Sequence, residues 1–271
     1  MISFPNAKIN IGLNVISKRA DGFHDIDSIF YPIHLHDVLE IVKNEDQNSE
    51  KIIFSSSGIE IPGNSPNNLC VKAFNVLDEK HNLPSIKIHL HKVIPIGAGL
   101  GGGSSDGAFA INMLDELFDL KLELSEKLSY ASQLGSDCSF FIENKSSYAS
   151  GRGEILQEID LNLNDHRIIL INPNIQVNTA DAYLGMVPKL REELLKDIIS
   201  SIIKKWKTDI GNDFEESVFA KYPDISSIKN QLYEAGALYA SMSGSGSSVF
   251  GIFEKGIPKL NFPPDYLVVK V

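Results

Sequence analysis

The stretch PIGAGLGGGSSDGA, residues 95–108, limits what this 271-residue chain can fold into more than any other, because five glycines fall between Gly97 and Gly103. Glycine loses more conformational freedom on folding than any other residue. A cluster therefore persists where backbone takes positive φ or lies close against something large. Upstream, IKIHLHKVI (86–94) alternates Ile86, Ile88 and Leu90 with Lys87, His89 and His91, the period of a half-buried strand. Downstream, Ser104 and Ser105 are natural N-caps for an apolar-periodic segment running to Phe118. In a strand, glycine loop, helix layout, successive backbone N–H groups form a concave nest. The helix start adds orphan donors and the positive end of its dipole, and the combination suits phosphate. A flexible linker or a tight turn is the plainer reading, but linkers seldom open straight into a capped helix.

Gly97, Gly99 and Gly102 satisfy G-x-G-x-x-G. A dinucleotide-binding domain would follow its helix with a strand ending in an acid, whereas LSEKLSYASQLG (124–135) reads as a second helix stopping at Gly135. A Walker A loop needs Lys and then Ser or Thr after its last glycine, and this loop runs from Gly103 directly to Ser104. The VAIK, HRD and DFG elements of a protein kinase do not occur in the sequence. A nucleotide-phosphate loop of another kind remains.

The length suits one large or two medium domains. With 35 acidic and 25 basic residues the net charge is −10, against binding of nucleic acid or anionic membrane by bulk electrostatics. The start, MISFPNAKIN, does not read as a signal peptide, and no run approaches a spanning helix. A soluble, cytoplasmic protein is expected. Cys70 and Cys138 stand apart without a metal-ligand spacing and read as buried small hydrophobes. Strand patterns lie at 7–16, 24–33, 38–43, 51–55, 86–94, 167–172, 237–242, 249–253 and 266–271; helical patterns lie at 69–80, 105–118, 125–134, 188–207, 213–221 and 224–235. Strands bunched early without βαβ alternation predict an α+β fold. A boundary expected near 153–165 gives an N-terminal domain over 1–157 and a C-terminal domain over 158–271, with ligands between them.

In NAKINIGLNV, strand geometry puts Lys8 and Asn10 on one face, opposite Ile9, Ile11, Leu13 and Val15. That face meets solvent unless a partner lies elsewhere in the chain. The candidate partner is Asp137 in LGSDCSFF, after the helix stop at Gly135 and before Phe140 and Phe141. Asp137 reads as a turn or cap residue, or as the carboxylate that accepts an alcohol proton in phosphoryl transfer, with the Lys8 ammonium to hold it and stabilise charge. Cys138 as a nucleophile has no histidine evidently placed to activate it. In RADGFHDIDSIF a hairpin turn accounts for Asp21 and Gly22, while Phe23 and His24 are suited to stacking on and hydrogen-bonding a base. SMSGSGSSVFGIF is either a long hairpin loop or a second phosphate-facing loop.

Taken in order, PNAKINIGL, PIGAGLGGGSSDGA, LGSDCSFF and MSGSGSSVF resemble the motifs of the GHMP small-molecule kinases, over residues 5 to about 250. DGFH at 21–24, with the AK-x-N start, is similar to the branch that phosphorylates the 2-hydroxyl of a cytidine diphosphate-linked methylerythritol in the non-mevalonate isoprenoid route. The resemblance implies an N-terminal domain like ribosomal protein S5 domain 2, a ferredoxin-like C-terminal domain, and an active site in the cleft between them, using ATP and Mg²⁺. It implies that Asp137 is the base and Lys8 its partner. Pro95, Gly97, Gly99, Leu100, Gly101, Gly102, Gly103, Ser104 and Ser105 would cradle the triphosphate, and Asn68 would lie near the adenosine. Asn10 would hold the acceptor, His24 would read the cytosine edge, and Tyr183 with Phe23 would stack on the ring. Ser243 and Gly244 would close near the phosphates. Phe23 stands where tyrosine is frequent in the family and Ser139 where proline is common. The metal ligands and the oligomeric state stay open. The alternatives are another GHMP acceptor such as homoserine or mevalonate, a nucleotide-binding module without turnover, and an NAD-dependent dehydrogenase.

Overall fold

The computed structural model describes all residues except 47–49, 64 and 185. In chain order its first elements are β1 (Ile2–Ser3), β2 (Asn6–Lys18), β3 (His24–His36), β4 (Val38–Lys43), β5 (Ile52–Gly58), α1 (Leu69–His81) and β6 (Ile86–Lys92). Then come α2 (Gly102–Phe118), α3 (Leu124–Leu134), α4 (Cys138–Glu143), β7 (Ser147–Ser150), β8 (Ile155–Glu158) and β9 (Arg167–Asn172). The last are α5 (Thr179–Leu184), α6 (Leu195–Ile198), α7 (Ile203–Asp209), α8 (Phe214–Lys221), α9 (Pro223–Glu234), β10 (Tyr239–Met242), β11 (Val249–Phe253) and β12 (Leu267–Lys270). Helices and sheets are mixed without regular βαβ alternation, and the fold is α+β.

The chain forms two compact units, one of Met1–Ala7, His34–Ile96 and Gly101–Asn144, the other of Lys8–Ile33, Gly97–Leu100 and Lys145–Val271. The first carries a sheet in the order β1-β4-β6-β5, antiparallel except for β5 beside β6. That parallel pair needs a crossover, which α1 supplies. The buried face of this sheet, with Leu39, Ile41, Ile86 and Ile88, joins α1 and α2 in one core through Phe74 and Ile111. α3 is fixed at its start by a capping box of Glu123 and Glu126.

The second unit holds a sheet ordered β2-β3-β7-β8 and an antiparallel sheet ordered β10-β11-β9-β12. Ile169 and Ile171 of β9 share a core with Phe214, Val218, Ile225 and Leu232 of α8 and α9.

The helix expected over 188–207 is not continuous. It is replaced by α6 and α7, with 199–202 between them. The Trp206 indole N–H donates to the Ser201 carbonyl at 3.2 Å, which takes up an acceptor that a continuous helix would use. Leu190 and Ile202 are 86% and 72% exposed, so the apolar positions do not form one buried stripe.

Candidate active site

Lys8 and Asn10 lie on β2, whose first ten residues are all buried. They are 4% and 1% exposed, so the solvent-facing alternative is set aside. Lys8 Nζ donates to Asn10 Oδ1 at 2.6 Å and stands 4.7 Å from the centroid of the Phe30 ring. Asn10 Nδ2 donates to Ser28 Oγ at 2.9 Å, and that hydroxyl donates to the Gly12 carbonyl at 2.7 Å. The Asn10 backbone N–H donates to Ser243 Oγ at 3.1 Å, and Ser243 Oγ donates to the Gly99 carbonyl at 2.8 Å. One buried chain of polar contacts thus runs from the ammonium to the 97–100 segment. Asn212 Nδ2 braces the far side by donating to the carbonyls of Met242 and Gly244, both at 2.8 Å. Buried polar atoms so fully paired hold a fixed geometry.

The glycine-rich stretch leads into α2 at Gly101, the N-cap of that helix, with φ of 68°. α2 therefore begins earlier than the serine caps predicted, and Ser104 and Ser105 stand in its first turn. No acidic residue occupies that turn, which leaves the positive helix end to an incoming anion. Ser105 Oγ is buried and meets no hydrogen-bond partner among the described residues. A Cβ built on Gly97 or Gly103 would meet nothing within 4 Å, so the loop exposes bare backbone of the kind a phosphate needs.

Asp137 is half-buried at the start of α4 and does not cap that helix with its side chain. Next to it, burial pushes the Cys138 thiol up to about 12, with a hydrogen bond to Ser104 as partial counterweight. A thiol held neutral is no nucleophile, which removes that alternative. The Ser104 contact also brings this stretch against the first turn of α2.

His24 and Tyr183 are stacked, with ring centroids 4.6 Å apart and planes at 17°. The Phe214 ring meets Tyr183 edge-on at 4.7 Å. Phe23 is 55% exposed and lies 5.0 Å from the Arg152 guanidinium, a neighbour that the sequence reading did not include.

The family model described as GHMP kinases N terminal domain matches residues 68–144, and that described as GHMP kinases C terminal matches 186–259. A 4-diphosphocytidyl-2-C-methyl-D-erythritol kinase of Bacteroides fragilis is 48% identical over 97% of this chain and 96% of its own. One of Cytophaga hutchinsonii is 51% identical over 93% of this chain and 92% of its own. The chain belongs to the 4-diphosphocytidyl-2-C-methyl-D-erythritol kinase family of GHMP kinases. A crystal structure of 4-(cytidine 5'-diphospho)-2C-methyl-D-erythritol kinase, 29% identical, superposes with a TM-score of 0.78 over 93% of this chain and 90% of its own. A mevalonate kinase superposes with a TM-score of 0.71 at 14% identity over 100% of this chain and 98% of its own, which is likeness of fold alone.

In this family member Asn68 is the N-cap of α1, its Oδ1 accepting the Cys70 N–H at 2.9 Å. Ser28 and Asn212 escaped the sequence reading. Each is a polar residue whose partner in the network lies far away in the chain.

Two glycines of the loop give a contrasting expectation. At Gly99, φ is 76° and a Cβ would come within 1.9 Å of the Ser243 carbonyl oxygen. Gly99→Ala is therefore expected to cost at least about 2 kcal/mol in denaturant unfolding, from left-handed strain and overlap together. Gly103 lies in a helical turn facing open space, so Gly103→Ala should hold or raise stability by about 0.5–1 kcal/mol. If Gly103 lines a phosphate cradle, the same variant should weaken Mg·ATP binding, because the methyl would stand where the phosphate approaches. Unchanged ATP affinity in Gly103→Ala would remove Gly103 from the phosphate cradle.

Proposed function

We propose that the chain transfers the γ-phosphoryl group of ATP to the 2-hydroxyl of 4-diphosphocytidyl-2-C-methyl-D-erythritol, in the cytoplasm and in the non-mevalonate route to isoprenoid precursors. The observation that carries this reading is identity of 48–51% to kinases of that name over more than nine-tenths of the chain. Homoserine and mevalonate kinases, by contrast, match in fold at 14–19% identity. The stacked His24–Tyr183 pair supports it, since a kinase for a small amino alcohol has no use for a base-reading aromatic pair.

In this account Asp137 takes the proton of the acceptor hydroxyl, and Lys8 holds negative charge as it develops. Asn10, fixed by Ser28 and Ser243, orients the acceptor. His24 offers its ring nitrogens to the cytosine edge, with Tyr183 and Phe23 as the apolar faces. The backbone of Pro95, Gly97, Gly99, Leu100, Gly101, Gly102 and Gly103 and the hydroxyls of Ser104 and Ser105 hold the triphosphate, and Asn68 borders the adenosine. The open space at Gly97 and Gly103, and the buried Ser105 hydroxyl, which has no partner among the described residues, fit that group. A Mg²⁺ bound with the nucleotide would be held mainly by phosphate oxygens and water, as that ion commonly is beside a triphosphate. Held there, it would supply positive charge against the negative charge of the triphosphate. The domain boundary at 157/158 belongs to the same reading and falls between the two family matches.

Competition tests the cytidine pocket. CMP and CDP are expected to inhibit competitively against the acceptor. His24→Ala should raise the acceptor KM roughly tenfold or more, because a base contact of about 1–3 kcal/mol is lost. An unaffected KM would take His24 out of the pocket.

A further inference from the structure

Beneath the start of α2 lies a sealed group of charges that the account above does not use. Lys92, the last residue of β6, is paired with both Asp37, between β3 and β4, and Asp106 of α2, the latter at 2.7 Å. All three are buried, at 3%, 0% and 2% exposure. Asp37 Oδ1 also accepts the backbone N–H groups of Val93 and Ile94, at 2.6 and 2.8 Å. Those residues lead into the glycine loop. Lys92 Nζ lies 3.0 Å from where a Cβ of Gly102 would be, directly under the first residue of α2. The group therefore ties the strand before the loop to the helix after it.

Its charges do not cancel if all three groups ionise, and an uncompensated charge in such a place is costly. Asp37 has three donors. Asp106 accepts Lys92 Nζ on Oδ2 and also meets the Asp37 carboxyl, while its Oδ1 is buried and meets no partner among the described residues. The proton belongs on Asp106.

We infer that Lys92 is a positioning residue for the phosphate loop, and that with Asp37 and a protonated Asp106 it forms a neutral clamp whose loss of that proton weakens the hold on ATP. The inference rests on the reading that this loop binds ATP. Burial first, and then the charge of Asp37 against the pull of Lys92, pushes Asp106 up to about 8. Burial opposes the Lys92 ammonium, but the two carboxylates outweigh it and hold it above its ordinary value. The remaining titratable group shown facing the clamp is Cys70 of α1, whose thiol burial holds well above its ordinary value, so it stays neutral. As pH rises through about 8 the clamp passes from neutral to net negative under a site for a polyanion.

The test compares wild type with Asp106→Asn, which is neutral at every pH. In wild type the KM for Mg·ATP is expected to rise about fivefold between pH 7.5 and 9, on the order expected for one unpaired charge near a bound polyanion. The acceptor KM should not follow. In Asp106→Asn the Mg·ATP KM should stay flat. Lys92→Met leaves Asp37 uncompensated, so its KM should be raised already at pH 7.5 and change little above it.

Thermal unfolding without nucleotide gives a second readout. A carboxyl raised from 3.8 to about 8 on folding makes the folded state hold the extra proton between those values. Stability then falls with rising pH until about 8 and levels off above it. The difference between wild type and Asp106→Asn should follow that course from pH 6 to 9. Equal KM ratios in the two proteins, or parallel unfolding profiles, would overturn the proposal. Failure of the ATP reading looks different, with no saturable Mg·ATP binding in either protein at any pH, and it would remove the proposal as well.

Discussion

Asparagine in place of Asp137 is expected to lower kcat by roughly 10²–10⁴, the usual range for losing a general base. The amide keeps the size of the carboxyl group and an acceptor oxygen but cannot take the hydroxyl proton. The side chain does not cap α4, so the substitution removes no helix cap. The KM for Mg·ATP should move little, because the glycine loop and not Asp137 is assigned to the triphosphate. Steady-state rates with both substrates saturating measure the effect directly. Turnover near that of wild type would remove Asp137 as the proton acceptor.

Methionine in place of Lys8 is expected to lower kcat by roughly 10²–10³, as removal of one preorganised charge-stabilising donor does. Methionine fills similar volume, though it gives up the placement of the ammonium 4.7 Å from the Phe30 ring centroid. What disappears is the charge and the 2.6 Å donor to Asn10 Oδ1. An amide oxygen left short of a donor costs about 1–3 kcal/mol of stability, which urea unfolding would report separately. Asn10 itself should remain in place through Ser28 and Ser243. A rise in KM with kcat untouched would instead make Lys8 a residue that binds ground state and transition state alike.

The short apolar strands were legible in full. β4, with its alternating pattern, and β9 and β11, continuous apolar runs buried on both faces, span 38–43, 167–172 and 249–253 as expected. Others needed the rest of the fold. SYAS and ILQE have no strong pattern of their own, and they become β7 and β8 by pairing, β7 with Ser28, Ile29 and Phe30 of β3 and β8 with β7. α4 has only six residues, too few for a helical period. The 188–207 pattern has the right residues for a helix but lacks a continuous buried stripe, and only the structure discloses that.

The same limit governs the candidate site. The alternation in NAKINIGLNV places Lys8 and Asn10 together, but what covers them is Ser243, 233 positions away from Asn10. The charged clamp did leave a signal in the sequence. Lys92 continues the buried series Ile86, Ile88 and Leu90, and Asp37 falls in phase with Leu35, Leu39 and Ile41. Asp106 likewise sits one helical turn before buried Ala110. A single charge on a core face reads as the end of an element. Three of them, from three segments, make a core only by neutralising one another.

The central claim is phosphoryl transfer to a cytidine diphosphate-linked acceptor. ADP release from Mg·ATP, measured with 4-diphosphocytidyl-2-C-methyl-D-erythritol and in parallel with homoserine and with mevalonate, tests it most directly. Turnover with the first acceptor alone is the predicted result. No ADP from that acceptor, with release from either of the other two, would contradict it.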